Sequence, residues 1–201
     1  MGPARSRAAQ HQRLAPARRA AGREDAPRRR LRARAAGLAA PRAVLGFRWP
    51  ALPGTRHPVS ADPVFVDTSV LLFSEDGARP AEREQVLAWL RDLWASRRGR
   101  VSVQVLNDFY LLATRQINPA MPQGDVRAEV RRYQHWQPWA ADQATVESAW
   151  SLESRFGLPF ADALVVASAK AQGCTRLLSL ALPHEAVYDS VQVLNPLVSP
   201  P

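Results

Sequence analysis

Cysteine and lysine are each present once in the 201 residues, as Cys174 and Lys170. A lone cysteine excludes an intrachain disulfide framework and any CxxC redox or zinc pattern, and it suits a reducing compartment. No apolar run approaches the roughly 18 residues that a bilayer-spanning helix needs. One of the longest weakly polar stretches, "ALVVASA" from Ala163 to Ala169, ends at Lys170. The chain therefore reads as soluble and cytoplasmic, with no membrane partner. Acidic residues are scarce only at the start: residues 1–60 hold 14 Arg and two acids, Glu24 and Asp25. Residues 61–201 hold 12 Arg and one Lys against 16 acids. The formal charge of +9 thus belongs to the leader, and the remainder is slightly acidic. The overall charge by itself points to no basic binding face.

The leader, residues 1–60, is built of Ala, Arg and Pro without a sustained apolar period. Such a segment buries too little to offset its ordering entropy, so disorder is expected. Its composition suits a transit peptide, a nonspecific RNA-binding arm, or a start codon assigned too early, with Val59 as the natural first residue.

From residue 61 the pattern changes. "VFV" (64–66) is short and wholly apolar, as in a strand buried on both faces. Pro80 opens a helix whose Val86, Leu87, Leu90, Leu93 and Trp94 share one face. "GRVSV" (99–103) reads as a strand and 104–116 as a helix, followed by a weaker helix over 122–135. Asp142 caps a further helix, in which Val146, Ala149 and Trp150 share a face and Gly157 ends it. A last helix covers 160–172, closed by Gly173, before strands at 175–180 and 191–194. Strands alternating with helices imply parallel crossovers, and so an α/β fold: a three-layer α/β/α sandwich with a mostly parallel sheet, over residues 61–198. The aromatic faces around Trp89 and Trp94 exceed what a small domain easily buries, which points to a covering partner helix or a homodimer.

Three acids recur where parallel sheets collect chemistry, beside the carboxyl ends of strands. Asp67 ends the first strand. Asp108 lies on the helix after the second. Asp162 sits in the first turn of the last helix. Carboxylates gathered at one edge repel unless a hard cation neutralises them, and Mg²⁺ or Mn²⁺ takes oxygen ligands while keeping waters for phosphate substrates. A phosphatase with an aspartyl nucleophile would need a second Asp two residues after Asp67; Ser69 stands there.

Four stretches in order, "FVDTSVLL", "VSVQVLNDFYLLATR", "FADALVVASAKAQGCTRLLS" and "VQVLNPL", resemble a PIN domain, in particular the VapC-type toxin ribonucleases. The resemblance implies a metal-dependent endoribonuclease, the toxin of a toxin–antitoxin pair, with an RNA substrate and an antitoxin protein as partners. It implies Asp67 and Asp162 as metal ligands, Thr68 and Ser69 as hydroxyls that support the first acid and the metal-bound water, and Asp108 where the family usually has Glu. Asp67, Asp108, Asp162 and Ser69 form the implied catalytic set, with Mg²⁺ or Mn²⁺ as cofactor. After "RLLS" the family reads Glu-Asp, but this chain has Leu180 and Ala181. The fourth acid is absent, so a weakened enzyme is expected, or a degenerate PIN domain that binds RNA or an antitoxin. His184, Glu185 and Asp189 follow downstream.

Overall fold

The computed structural model describes residues 62–201 apart from Asn118, and the expectations for the leader lie outside the described residues. Five strands form one sheet in the order β2-β1-β3-β5-β4. They are β1 (Val64–Val66), β2 (Gly99–Arg100), β3 (Arg176–Leu178), β4 (Val187–Tyr188) and β5 (Val191–Leu194). All neighbours pair in parallel except β4 with β5. All three residues of β1 are fully buried, because helices cover both faces of a parallel sheet and each side chain meets a core whichever way it points.

Six helices supply that cover: α1 (Thr68–Glu75), α2 (Pro80–Ser96), α3 (Val103–Ala113), α4 (Gln123–Tyr133), α5 (Gln143–Phe156) and α6 (Phe160–Ala171). They fall into two groups. α1 packs on α2 and α3, and α3 on α4, while α5 and α6 form a hairpin whose α6 lies on β3 and β5. The α/β sandwich expected from the sequence is present. Its caps are local chemistry: Ser102 accepts from Val105 N at the start of α3, and Asp142 from Thr145 N at the start of α5. Gly157 ends α5 at φ 67°, a conformation that costs glycine little.

Several expectations are corrected. The second strand is two residues long rather than five. After Arg100 the chain leaves the sheet: Val101 O accepts from Trp139 N, and Ser102 turns to cap α3. The helix expected over 122–135 stops at Tyr133 and tightens into a 3₁₀ turn, Gln134–Trp136. Trp150 is 54% exposed, not on the inner face of α5. Trp89 and Trp94 are buried within this chain. Trp89 Nε1 donates to Ser199 O, and Trp94 stacks near Tyr133 and Trp136. The C-terminal segment and α4 therefore cover the aromatic face that had called for a partner helix or a second copy. Gly99 explains part of this packing: a Cβ there would come within 2.4 Å of Trp136 Cε2, so only glycine admits the indole so close to β2.

Candidate active site

The order of strands places a topological switch at β1. The chain crosses from β1 to β2 on one side and later brings β3 to the other, and in open parallel sheets the crevice at such a switch, outside the carboxyl ends, receives ligands. Asp67 follows β1 directly and Ser179 follows β3 directly. Asp67 N donates to Leu178 O at 2.9 Å, continuing the β1–β3 ladder and setting the two residues side by side.

Asp67 is 8% exposed, and its charge is answered by short hydrogen bonds. Oδ1 accepts from Thr68 N at 2.7 Å, which makes Asp67 the N-cap of α1. Oδ2 accepts from Ser69 Oγ at 2.6 Å and from Ser179 Oγ at 2.9 Å. A carboxylate oxygen has two lone pairs, so Oδ2 is filled and Oδ1 keeps one lone pair. The cap and a ligand role are therefore compatible in one side chain. Thr68 Oγ1 turns away to Val105 O, tying α1 to α3.

The serines carry the arrangement further. Ser179, fully buried, accepts at Oγ from Ala181 N and Leu182 N, both at 3.1 Å. Ser69 Oγ accepts from Leu180 N at 3.0 Å. The segment from Ser179 to Leu182 is thus folded over the Asp67 carboxylate by three backbone N–H groups. Ser69 gives its proton to Asp67, so its observed task is to position that acid.

Asp108 and Asp162 are partly buried, and both respond to Asp67. Burial raises the Asp108 carboxyl above its ordinary value; a hydrogen bond from the Gln104 side chain pulls the other way, and the charge of Asp67 adds to the rise. Burial also raises Asp162, and Asp67 again adds to it. Asp162 in turn helps burial raise the Tyr188 phenol. The three sequence-derived acids therefore share one electrostatic field centred on Asp67. Among the described residues, however, no three acidic, histidine or cysteine side chains stand close enough to hold a metal ion together. The donor chemistry fits a hard cation: all oxygen, like charges in mutual repulsion, and a free lone pair on Asp67 Oδ1. Asp67 and Asp162 are the residues that would hold it.

Of the downstream acids, Asp189 is already engaged elsewhere. Asp189 is bound by Arg155 at 2.6 Å and Lys170 at 2.8 Å, and these cations hold its carboxyl below the usual range, the Lys170 hydrogen bond most of all. Glu185 is exposed, with only His184 Nε2 at 3.9 Å. Ala181, where the acid is absent, is exposed beside the Ser179 hydroxyl. Sequence reasoning missed Ser179, Gln104 and Tyr188. The usable signal for Ser179 was a hydroxyl directly after an apolar strand that pairs with the strand before Asp67.

The PIN domain family matches residues 64–180, more than half of the chain. The chain belongs to the PIN domain family. The match begins at β1 and ends just past Ser179, so it spans all three acids and the serines around Asp67. Among solved structures this PIN domain is similar to VapC20 of Mycobacterium tuberculosis, described as a sarcin-ricin loop cleaving toxin, at 22% identity and a TM-score of 0.45, covering 57% of this chain and 86% of that one. No curated protein matches it.

Proposed function

We propose that this PIN domain is a Mg²⁺- or Mn²⁺-dependent endoribonuclease, the toxin of a toxin–antitoxin pair, acting in the cytoplasm and held by an antitoxin protein. One observation supports the reading: Asp67, which follows the strand at the switch in strand order, acts electrostatically on both Asp108 and Asp162. Perturbed carboxylates beside a strand-order switch are the pattern that functional sites show. Bound there, a divalent cation supplies charge for the phosphodiester and an activated water. The chain's own residues do the rest. Ser69 and Ser179 hold the Asp67 carboxylate in one orientation at the end of β1. Asp162, in the first turn of α6, supplies a second carboxylate for the cation on this reading. Asp108, raised by burial and by Asp67, is suited to take the proton that the attacking water gives up as one P–O ester bond breaks.

A second reading rests on its own observation. Leu180 and Ala181 stand where the family has its acidic pair, and Asp189 is engaged by Arg155 and Lys170. On that reading the domain binds RNA or an antitoxin and cleaves little. RNA incubated with the full chain in Mn²⁺ and in EDTA separates the two. Fragments that appear only with Mn²⁺ support the nuclease; intact RNA in both supports the binding protein.

A further inference from the structure

The first turn of α3 is where the three acid-bearing segments are joined. Thr68, beside Asp67, donates from Oγ1 to Val105 O at 3.4 Å. The preceding residue, half-buried Gln104, donates from Nε2 to Ala161 O at 3.3 Å. Ala161 is the residue before Asp162 in the first turn of α6. The Gln104 side chain also hydrogen-bonds the Asp108 carboxylate. The two residues stand one turn apart on α3, the i, i+4 spacing at which glutamine and aspartate meet on a helix. Gln104 thus touches Asp108 directly, and Asp162 through its neighbour's carbonyl.

The two partners fix the orientation of the amide. A carbonyl oxygen and a carboxylate both accept, so the NH₂ end must serve them, one hydrogen to each. Oε1 is left enclosed without a hydrogen-bond partner. Turning the amide over would satisfy neither acceptor. Other side chains do this job poorly: Asn is one methylene shorter, Leu and Met have no donor, and Glu would add another negative charge. The link also has something to restrain. The charge of Asp67 acts against the ionised form of both Asp108 and Asp162, and like charges free to move relax apart. A second glutamine offers a comparison. Gln172, after the far end of α6 from Asp162, donates from Nε2 to Val101 O at 2.6 Å. It ties α6 to the chain just before α3, as Gln104 ties α3 to α6, but both atoms of that bond lie outside the acids and their neighbours.

We propose that Gln104 is a positioning residue: its amide tethers Asp108 to the first turn of α6 and so sets the spacing of Asp108 and Asp162 before a divalent cation binds. The inference rests on the ribonuclease reading for the cation, and it adds how the acids are held ready for it. Without the tether the acids drift apart, the cation must oppose that drift, and its affinity falls by the cost of restoring the arrangement.

The test is calorimetric titration of the full chain with Mn²⁺, which reads the site without requiring cleavage. Gln104→Met keeps the length of the side chain and removes its donors; it should bind Mn²⁺ about tenfold more weakly. Gln104→Asn, too short to serve both partners, should fall between it and the native chain. Gln172→Met should lower the urea midpoint and leave Mn²⁺ affinity unchanged. In an Asp108→Ala background, adding Gln104→Met should cost little more, because one end of the tether is already gone, whereas a general loosening of the fold would cost the same in both backgrounds. Equal Mn²⁺ affinity in the native chain and Gln104→Met overturns the proposal. So does an equal loss in Gln172→Met, or a full loss in the Asp108→Ala background. If Gln104→Met binds Mn²⁺ as the native chain does while the native chain cuts RNA, the tether falls and the ribonuclease reading stands. If Gln104→Met loses affinity but the native chain never cuts RNA in Mn²⁺, the tether stands and the ribonuclease reading falls. A native chain that takes up no Mn²⁺ overturns both.

Discussion

Glu129 gives the domain a stability that should decline as pH rises through neutrality. Its carboxylate lies on α4, paired with Arg132, with Glu75 from the end of α1 and Asp125 also acting on it. Burial outweighs the attraction of Arg132, and the two acids add to it, so the carboxyl is pushed up to about 7 from an ordinary 4.5. Arg132 cannot answer fully because it also faces Glu75 and Tyr133. The folded state therefore keeps a proton up to about pH 7 that the unfolded chain releases near 4.5. Between those values the native state binds more protons, and its stability must fall as pH rises. The contribution is fully present below 4.5 and is lost as pH passes 7. At about 1.4 kcal/mol per pH unit, the window amounts to about 3 kcal/mol, a large share of a typical domain's 5–15 kcal/mol. Glu75, Asp108 and Asp162 are raised as well and act in the same sense. The difference between native protein and Glu129→Gln isolates the one group, since Gln keeps the shape and can still accept from Arg132. Urea unfolding at pH 5, 6, 7 and 8 should show the native chain losing stability up to about pH 7 and levelling off by 8, and the variant losing much less. Parallel curves for the two proteins, or a native chain that gains stability over that range, would refute the reasoning.

Three further outcomes are expected. Gly99→Ala, whose new methyl would meet the Trp136 ring at 2.4 Å, should destabilise by about 1–3 kcal/mol through overpacking, read as a lower urea midpoint. Ser179→Ala removes a donor to Asp67 and leaves Ala181 N and Leu182 N without their acceptor; a loss of about 1–3 kcal/mol follows from the orphaned groups, together with slower RNA cleavage, and an unchanged cleavage rate would show that Asp67 needs no such support. Ala181→Asp places a carboxylate at an exposed position on the segment folded over Asp67 and should raise cleavage roughly tenfold or more, each 1.4 kcal/mol being about tenfold; no gain in Mn²⁺ would mean the site does not need the fourth acid.

The legible parts of the fold were those with one buried face or two. β1 could be read because "VFV" is apolar on both sides, and α2 because its apolar residues repeat at helical spacing. α1 gave no such signal. Thr68, Val70, Leu71, Phe73 and Ser74 are all buried, so its apolar and polar residues show no stripe. The length of β2 was illegible because Val101 and Ser102 look like strand residues but are taken by Trp139 and by the cap of α3. Composition counted the aromatic surface at Trp89 and Trp94 correctly but could not see that Ser199, Tyr133 and Trp136 would cover it. In the site, charge made the three acids legible. Ser179 carries none, and its role exists only because β1 and β3 are neighbours in the sheet.

The central claim is that the carboxylate edge cuts RNA with a divalent cation. Asp67 caps α1, so replacing it would confuse stability with chemistry, whereas α6 has Pro159 as its cap and Asp162 inside its first turn. The direct measurement is the single-turnover rate of RNA cleavage in Mn²⁺ by the full native chain and by Asp162→Asn. The account predicts measurable cleavage by the native chain, abolished by EDTA, and a fall of about a hundredfold or more in the variant, the scale of one well-placed catalytic interaction. Equal rates in the two proteins, or cleavage that persists in EDTA, would contradict it.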